Sequence, residues 1–310
     1  MSKLITIIST CYNEELNILE CYQKVKELFK NNGLNYEHIF VDNDSNDNTK
    51  KIIEDICNTD KNVKAIFNAK NYGPFLSNFN ALKLTNGDYV IVNYASDMQD
   101  PVEKIDELLK KINEGYDVVY AVKNSTQDNF FLTKCRRIFY FLINKFSDSP
   151  NPENANEFMC VTKKIIEEIK DSNDYFPYIR GYFGKLTNNY GYIYFDRNKR
   201  FNGKSKNNYF NLYTQAINGL ISTMNKPIRV LSLFSFISVL SSTLLMIYIL
   251  FSRIFLLEIA PKGVTFLSII ILFFFSFIML LLSLILEYLI AIHEQTRFKN
   301  RVFVEKKINF

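Results

Sequence analysis

Strand-like and helix-like patterns of apolar and polar positions alternate along the first 120 residues of this 310-residue chain. Short runs rich in β-branched and aromatic residues predict five strands, at Leu4–Ser9, Tyr36–Val41, Val63–Asn68, Tyr89–Asn93 and Asp117–Ala121. Apolar positions at helical spacing predict four helices between them, at Glu14–Asn31, Asn46–Cys57, Phe75–Thr85 and Pro101–Glu114. Such alternation predicts an α/β fold with a mostly parallel sheet and helices on both faces.

Two long apolar runs near the C-terminus change this picture. Val230–Ser252 and Gly263–Leu286 contain no Asp, Glu, Lys or Arg. A helix needs roughly 20 apolar residues to cross a bilayer. The two runs therefore predict a transmembrane helical hairpin behind the α/β domain.

Charge is informative through its position rather than its total. A net charge of +5 is too small to indicate a nucleic-acid partner. Basic residues crowd the outer ends of both apolar runs, whereas the loop Arg253–Lys262 carries only two. By the positive-inside rule both termini and the α/β domain are cytoplasmic and the loop lies outside, although a plain solvated surface would also carry such charges.

Other segments restrict the classes of function. The N-terminal MSKLITIISTCYNEE leads directly into a strand pattern and is not typical of a secretory signal. Five scattered cysteines predict reduced thiols, and two histidines without ligand spacing argue against a histidine metal site. The basic amphipathic stretch Phe130–Phe146 predicts either a membrane-interface helix or a core helix, and Tyr209–Met224 is a second interface candidate.

Three polar segments follow predicted strands and should share one crevice, because ligands of open α/β sheets bind at the carboxyl ends of strands. They are Thr10–Glu14, Asp42–Thr49 and Ala95–Asp100. Asp97 and Gln99 would alternate along an extended segment and offer oxygens that suit Mg²⁺ or Mn²⁺. The alternative is that all three are polar turns whose Asn, Asp, Glu or Ser residues cap the next helix.

Glycine motifs for other nucleotide enzymes are missing. The first strand is followed by neither Gly-x-Gly-x-x-Gly nor a Walker-type loop. This argues against a dinucleotide oxidoreductase and a P-loop NTPase.

The chain resembles the polyisoprenyl-phosphate glycosyltransferases, which are membrane-anchored inverting enzymes related to dolichol-phosphate mannose synthase and the bactoprenol glucosyltransferases. The motifs that carry the resemblance cover nearly the whole chain in the family's order, and they are STCYNEE, VDNDSNDNT, NAKNYG, SDMQDPVE, GYDVVYAV, KRFNGKSK, STMNKPIRV and EYLIAIHEQTR. The resemblance implies a GT-A fold, a nucleotide-sugar donor with UDP favoured over GDP, Mg²⁺ or Mn²⁺, and a polyprenyl (undecaprenyl) phosphate acceptor. It also implies a place in cell-envelope polysaccharide synthesis, and related membrane-anchored enzymes can assemble as homo-oligomers such as tetramers.

Site roles follow from the resemblance position by position. It assigns donor or acceptor binding to Thr10, Tyr12, Glu14, Asp42, Asp44, Lys70, Asn71 and Ser205. It assigns the metal to Asp97 and Gln99 and catalytic roles to Asp97, Arg200 and Lys206, with Arg200, Ser205 and Lys206 holding the donor pyrophosphate and the lipid phosphate.

The implied organisation has four parts. They are a nucleotide-sugar-binding core at 1–125, an acceptor-binding and membrane-interface part at 126–226, the transmembrane hairpin at 227–290 and a basic cytoplasmic tail at 291–310. With the spans inserted, the enzyme would be a multi-pass protein of the cytoplasmic membrane.

Two departures from the family pattern keep other functions open. Ala95 stands where the family has the first Asp of Asp-Ala-Asp, and Asn156-Glu157-Phe158-Met159 replaces Gly-Asp-Phe-Arg. One alternative is a catalytically impaired scaffold that binds sugar nucleotides. Another is a polysaccharide synthase on the same fold. Such synthases usually carry a Gln-x-x-Arg-Trp element and more spans, whereas this chain has no tryptophan and two predicted spans.

Overall fold

A computed structural model describes residues 3–124, 155–170, 179–198 and 302–310, with isolated positions at 134, 141, 145 and between 267 and 292. The strands are β1 (Leu4–Cys11), β2 (Asn35–Asp42), β3 (Val63–Asn68), β4 (Tyr89–Val92), β5 (Val118–Lys123), β6 (Ala155–Thr162), β7 (Tyr190–Phe195) and β8 (Val304–Ile308). The helices are α1 (Ile18–Asn31), α2 (Thr49–Thr59), α3 (Pro74–Leu82), α4 (Lys104–Asn113), α5 (Lys163–Lys170) and α6 (Ile179–Leu186).

These eight strands form one sheet in the order β7-β5-β6-β4-β1-β2-β3-β8. Strand β1 lies parallel to both β2 and β4, and β2 lies parallel to β3. Strand β6 is antiparallel to β4 and β5, and β8 is antiparallel to β3. The mixed α/β fold predicted from the sequence is confirmed, and the carboxyl ends of β1, β2 and β4 lie side by side.

Apolar residues form a core on each face of the sheet. On one face, α1, α2 and α4 contribute side chains such as Val25, Ile53 and Leu108. On the other, α3, α5 and α6 contribute side chains such as Leu82 and Ile166. Helices on both faces leave only the strand ends open for a polar site.

Several predicted boundaries and caps were wrong. Helix α1 begins at Ile18 rather than Glu14, because residue 14 belongs to a turn in which the Glu14 carbonyl accepts the N–H groups of Asn17 and Ile18. Asn13 and Glu14 therefore cap no helix, and Asn17 precedes α1 without a side-chain cap. The turns before α2 and α4 likewise delay these helices to Thr49 and Lys104.

Strands β6, β7 and β8 were not among the predicted elements. Strand β6 lies between β4 and β5 and carries Asn156 and Glu157, and β8 adds the last residues of the chain to the edge at β3. Polar Asn156 and Glu157 interrupt the apolar pattern of β6, and β8 is short and charged, so local periodicity does not reveal either strand.

The chain divides into two compact units, Met1–Thr223 with Phe298–Phe310, and Met224–Arg297. Within the part that the structure describes, no helix has both the length and the apolar character needed to cross a bilayer. The run Val230–Ser252 and the stretch Tyr209–Met224 lie outside the described residues, and only isolated helical positions are described in the second run and in Phe130–Phe146.

Candidate active site at the carboxyl ends of β1, β2 and β4

The loops after β1 and β2 hold each other through hydrogen bonds. The Asn13 N–H donates to Ser45 Oγ at 2.8 Å, and the Asn46 N–H donates to Asn13 Oδ1 at 2.8 Å. The Glu14 N–H donates to Thr49 Oγ1 at 2.9 Å. Because side chains of one loop satisfy the backbone of the other, the two loops form a single rigid wall of the crevice.

The side chains predicted to bind the donor along this wall differ in exposure. Tyr12 is half-buried, whereas the Glu14 carboxylate accepts a hydrogen bond from Asn17 Nδ2 at 2.5 Å. Asp42 is fully buried, and its Oδ2 accepts the Ser45 N–H at 3.0 Å. Burial raises the pKa of Asp42, while hydrogen bonds from Ser45 act in the opposite direction. Asp44 is more exposed and forms an ion pair with Lys50 at 2.7 Å.

The loop after β4 joins the same wall through Thr10. Thr10 Oγ1 donates to Asn93 Oδ1 at 2.9 Å, and Ser96 Oγ donates to the Thr10 carbonyl at 3.4 Å. The three predicted loops therefore meet in one crevice.

The prediction of an extended segment through Asp97 and Gln99 was wrong, because the chain turns there. Strand β4 ends at Val92, and the Met98 N–H donates to the Ala95 carbonyl at 2.9 Å, which closes a turn with Met98 at a φ of 55°. Alternation therefore does not place Ala95, Asp97 and Gln99 on one side. Asp97 is 9% exposed, and its Oδ1 accepts the Gln99 N–H at 3.3 Å. Asp100 does not cap α4, because it is buried and its Oδ1 accepts Asn156 Nδ2 at 2.7 Å.

The oxygens of Asp97 and Gln99 fit a divalent ion that substrate phosphates also bind. Asp97 and Gln99 supply a carboxylate and an amide oxygen, and the described residues contain no group of three or more His, Cys, Asp or Glu that could hold an ion. Mg²⁺ is commonly bound by one or two carboxylates together with substrate phosphates. The donor set thus suits an ion that arrives with a nucleotide and is too small for a closed structural site.

Glu157 on β6 adds a buried carboxylate to the crevice, and local sequence patterns did not indicate it. Asn93 Nδ2 donates to Glu157 Oε2 at 3.1 Å, so Thr10, Asn93 and Glu157 form a chain of contacts across β1, β4 and β6. Glu157 is only 6% exposed. The signal that could have found it was its place in the segment that departs from the family's Gly-Asp-Phe-Arg.

Positive charge approaches the carboxylates from β5 and β7. The pKa of Asp100 is raised to about 6, chiefly by burial; Arg197 and Lys123 act to lower this pKa, and Asp97 and Glu157 act to raise it. Asn198 donates its N–H to the Gln99 carbonyl at 2.9 Å. Arg200, Ser205 and Lys206 lie outside the described residues, and the chain that leads into them begins beside Gln99.

The loop Ala69–Gly73 contains the two remaining predicted binding residues. Lys70 and Asn71 are exposed, with Lys70 Nζ 5.0 Å from the Tyr72 ring centroid. Asn71 Oδ1 accepts the Gly73 N–H at 2.9 Å, and Gly73 has a φ of 80°, which favours glycine. At the base of the loop Asn68 Nδ2 donates to Asn43 Oδ1 at 3.0 Å, which joins this loop to the one after β2.

Comparison with known proteins identifies the family. The model of "Glycosyl transferase family 2" matches residues 6–170, more than half of the chain. An uncharacterised glycosyltransferase of Synechocystis sp. is 30% identical over 295 residues, covering 94% of this chain and 92% of the relative. A bactoprenol glucosyl transferase of Shigella phage SfX is 30% identical over 230 residues, covering 73% of this chain and 74% of the relative.

Solved structures are more distant. A mannosyltransferase of Pyrobaculum calidifontis in complex with GDP-Man and Mn²⁺ is 17% identical, with 74% of this chain and 65% of that chain covered and a TM-score of 0.47. The family match runs from within β1 to the end of α5. It includes the described residues of the crevice except Arg197, Asn198 and those of β8. The chain belongs to glycosyl transferase family 2 and is a glycosyltransferase that uses a nucleotide sugar.

Proposed function

We propose that this glycosyltransferase transfers a sugar from a nucleotide sugar, with UDP favoured over GDP, to a polyprenyl phosphate with inversion at the anomeric carbon. The observation that carries the proposal is the clustering of polar side chains at the carboxyl ends of β1 and β4, namely those of Thr10, Asn93, Asp97, Gln99 and Glu157. The relatives named bactoprenol glucosyl transferase, about 30% identical over 230 residues, support a lipid phosphate as the acceptor.

The interlocked loops after β1 and β2 form the donor side of the site. Tyr12, Asp44, Lys70 and Asn71 are at least partly exposed and would contact the nucleotide. Asp42 is buried and accepts the Ser45 N–H, so its part is to shape the loop after β2.

Asp97 and Gln99 would hold Mg²⁺ or Mn²⁺ together with the donor phosphates. When bound, the ion neutralises charge that builds on the departing nucleoside diphosphate. Asp97 is oriented for this by the Gln99 N–H, and the Gln99 carbonyl is fixed by Asn198.

The acceptor needs little activation. A phosphate monoester has a second pKa of about 6 and is mostly dianionic at neutral pH. One of its oxygens attacks the anomeric carbon while the bond from that carbon to the bridging oxygen of the β-phosphate breaks, and the nucleoside diphosphate leaves with that oxygen and the bonding electron pair. Arg200, Ser205 and Lys206 would hold both phosphates, which is supported by the position of Asn198 beside Gln99.

Ala95 does not remove the site's acidic character. It shares the loop after β4 with Asn93, which holds the Glu157 carboxylate from β6. A buried carboxylate therefore still lies beside this loop, at the position of the Asp in the family's Gly-Asp-Phe-Arg. This favours an active enzyme over an impaired scaffold.

Two features support a cytoplasmic-membrane location. Large apolar side chains at helical spacing are more than half exposed in the second apolar run, namely Leu267, Ile271, Phe275, Ile278, Leu282 and Ile285, and the same holds just after it for Leu289 and Ile292. A long stripe of exposed apolar side chains is typical of contact with lipid or with another apolar surface. Strand β8 also returns the chain to the sheet that β1–β7 form, as two crossings would require.

A radiolabelled-sugar assay tests the proposal. The full chain in detergent receives UDP- and GDP-sugars with undecaprenyl phosphate, with and without Mn²⁺, and transfer is expected with at least one donor. The Asp97→Asn variant keeps the size of the side chain but removes its charge, so transfer is expected to fall at least about a hundredfold. Absence of transfer by the wild type with every donor contradicts the proposal, and full Asp97→Asn activity in the presence of chelator contradicts the metal assignment.

A further inference from the structure

The loop Ala69–Gly73 is held by the last strand of the chain. Beyond the end of β3, the Ala69 N–H donates to the Phe303 carbonyl at 3.0 Å. The Phe303 N–H donates to the Tyr72 hydroxyl oxygen at 3.1 Å. The two backbone groups of one residue thus bracket Ala69–Tyr72, and Lys70 and Asn71 lie between the bracketed positions.

Strand β8 has its own anchors, so it is not simply carried by the loop. Lys306 forms an ion pair with Glu54 of α2 at 2.7 Å. Asn309 Nδ2 donates to the carbonyls of Cys57 and Val63 at 2.8 Å each. These contacts tie the far end of β8 to α2 and to the start of β3.

The register of β8 brings Phe303 to the loop. Ala65 pairs with Ile308 and Asn68 pairs with Val304, with an irregularity between Phe67 and Asn68. The extra residue at this bulge is Glu305. Bulges re-aim a strand, and here the pairing continues past the end of β3 to Phe303.

The Phe303 side chain has little part in this contact. It is 68% exposed, so its backbone rather than its ring provides the contacts with the loop. The Tyr72 side chain is half-buried and lies next to Lys70.

We infer that Phe303 is a positioning residue for the nucleotide-sugar site: its backbone fixes the Ala69–Tyr72 loop in the shape that presents Lys70 and Asn71 to the donor. This rests on the proposed function, in which Lys70 and Asn71 contact the nucleotide. Fixing the loop in advance removes an entropy cost from binding, so donor affinity depends on a strand that follows the predicted membrane hairpin.

Three variants of the full chain test the inference. Phe303→Pro removes the N–H that donates to Tyr72, and Tyr72→Phe removes the hydroxyl that accepts it. Phe303→Ala keeps both backbone groups and is the matched control. Each protein is titrated with UDP and with GDP by calorimetry, and donor KM, acceptor KM and kcat are measured where transfer occurs.

Phe303→Pro and Tyr72→Phe are expected to weaken nucleotide affinity and raise donor KM about fivefold, the size expected for the loss of one hydrogen bond. Acceptor KM and kcat should stay within about twofold of the wild type, because Asp97 and Glu157 lie beside β1, β4 and β6, away from the loop. Phe303→Ala should leave donor KM within about twofold. Hydrogen exchange of residues 69–73 should accelerate in Phe303→Pro and not in Phe303→Ala.

The outcomes separate this inference from the proposed function. Unchanged donor affinity in both Phe303→Pro and Tyr72→Phe overturns the positioning role, even if thermal stability falls. A wild type that binds UDP or GDP but transfers no sugar to the lipid overturns the proposed acceptor. The nucleotide affinity of each variant relative to the wild type still decides the role of Phe303. A wild type that binds neither nucleotide overturns both.

Discussion

Unusual backbone conformations concentrate in the crevice. In the described chain, four of the five non-glycine residues with positive φ are in loops after β1, β2 and β4, namely Asn13, Asp44, Asn93 and Met98. Asn and Asp tolerate this conformation, and polar turns at these places were predicted from the sequence. Met98 does not favour it, and its buried side chain must contribute to holding it there. The sequence therefore indicates the turns, whereas the strained backbone at Met98 depends on tertiary packing.

Glu157 provides a prediction at the scale of one residue. Glu157→Gln can keep the hydrogen bond from Asn93 but loses the charge. Because the variant keeps the size of the side chain and a hydrogen bond but removes a negative charge from the crevice, kcat/KM for transfer is expected to fall at least about tenfold with little change in the unfolding temperature. The surface variant Glu114→Gln, which removes only an ion pair with Lys111, is the matched control. Wild-type kcat/KM in Glu157→Gln would show that this carboxylate is only structural.

His38 makes the stability of the sheet depend on pH. It is fully buried, its Nε2 lies 3.0 Å from Ser9 Oγ, and burial lowers its pKa from 6.5 to about 3. Since the folded-state pKa is depressed, the unfolded chain takes up the proton first as pH falls below 6.5, and stability is lost down to about pH 3. Below pH 6.5 the free energy of unfolding falls by about 1.4 kcal/mol per pH unit, so it falls by about 2 kcal/mol between pH 7 and pH 5.

The His38→Gln variant isolates this contribution. Gln does not titrate, so its unfolding free energy should change less between pH 7 and pH 5 than that of the wild type, by about 2 kcal/mol. Denaturant unfolding of both proteins at the two pH values measures the difference. Equal pH dependence would mean that His38 is protonated in the folded protein or that it opens to solvent before global unfolding.

Single elements differ in how much of them could be predicted from the sequence. Strands β1 to β5 were predicted because each is a compact apolar run bounded by polar residues. Strand β6 was missed because polar Asn156 and Glu157 interrupt its apolar run, and both are buried only because they bond to Asp100 and Asn93. Strand β8, VEKKI, is short and charged and becomes a strand through the open edge of β3. The same holds for the candidate site. The three loops were predicted from the ends of the strands, whereas Glu157 was found only from its contact with Asn93 in the structure.

Removal of β8 tests its role as an element. Truncation after Arg301 exposes the edge of β3 and removes the anchors at Glu54, Cys57 and Val63. The truncated chain should unfold several degrees lower and aggregate more readily, because an unpaired strand edge is a template for association. A peptide with the sequence of residues 302–310 should restore part of the stability by adding a strand to the edge, whereas the same peptide with prolines at positions 304 and 306 should not. Equal effects of the two peptides would contradict strand addition.

At the scale of the whole molecule, β8 constrains how the chain can meet a membrane. Residues 304–308 pair with β3, which lies in the same sheet as β1, β2 and β4. A hydrogen-bonded sheet lies on one side of a bilayer, so the chain between residues 198 and 302 must cross it an even number of times or not at all. Two spans satisfy this condition, and one or three do not.

Topology therefore depends on the loop between the predicted spans. If Val230–Ser252 and Gly263–Leu286 cross the membrane, Glu258 lies on the opposite side from Lys61 and Lys307, which are exposed on the sheet domain.

Single variants Glu258→Cys, Lys61→Cys and Lys307→Cys can be treated in intact cells with a membrane-impermeant maleimide. The four native cysteines in the described residues are buried, and Cys135→Ser removes the fifth. Glu258→Cys should be labelled in intact cells, and the other two only after the cells are opened. Labelling of Lys307→Cys but not Lys61→Cys in intact cells would mean that β8 is not paired with β3 in the cell, and protection of all three positions until lysis would rule out the hairpin and leave the apolar runs buried against protein or lying on the inner surface.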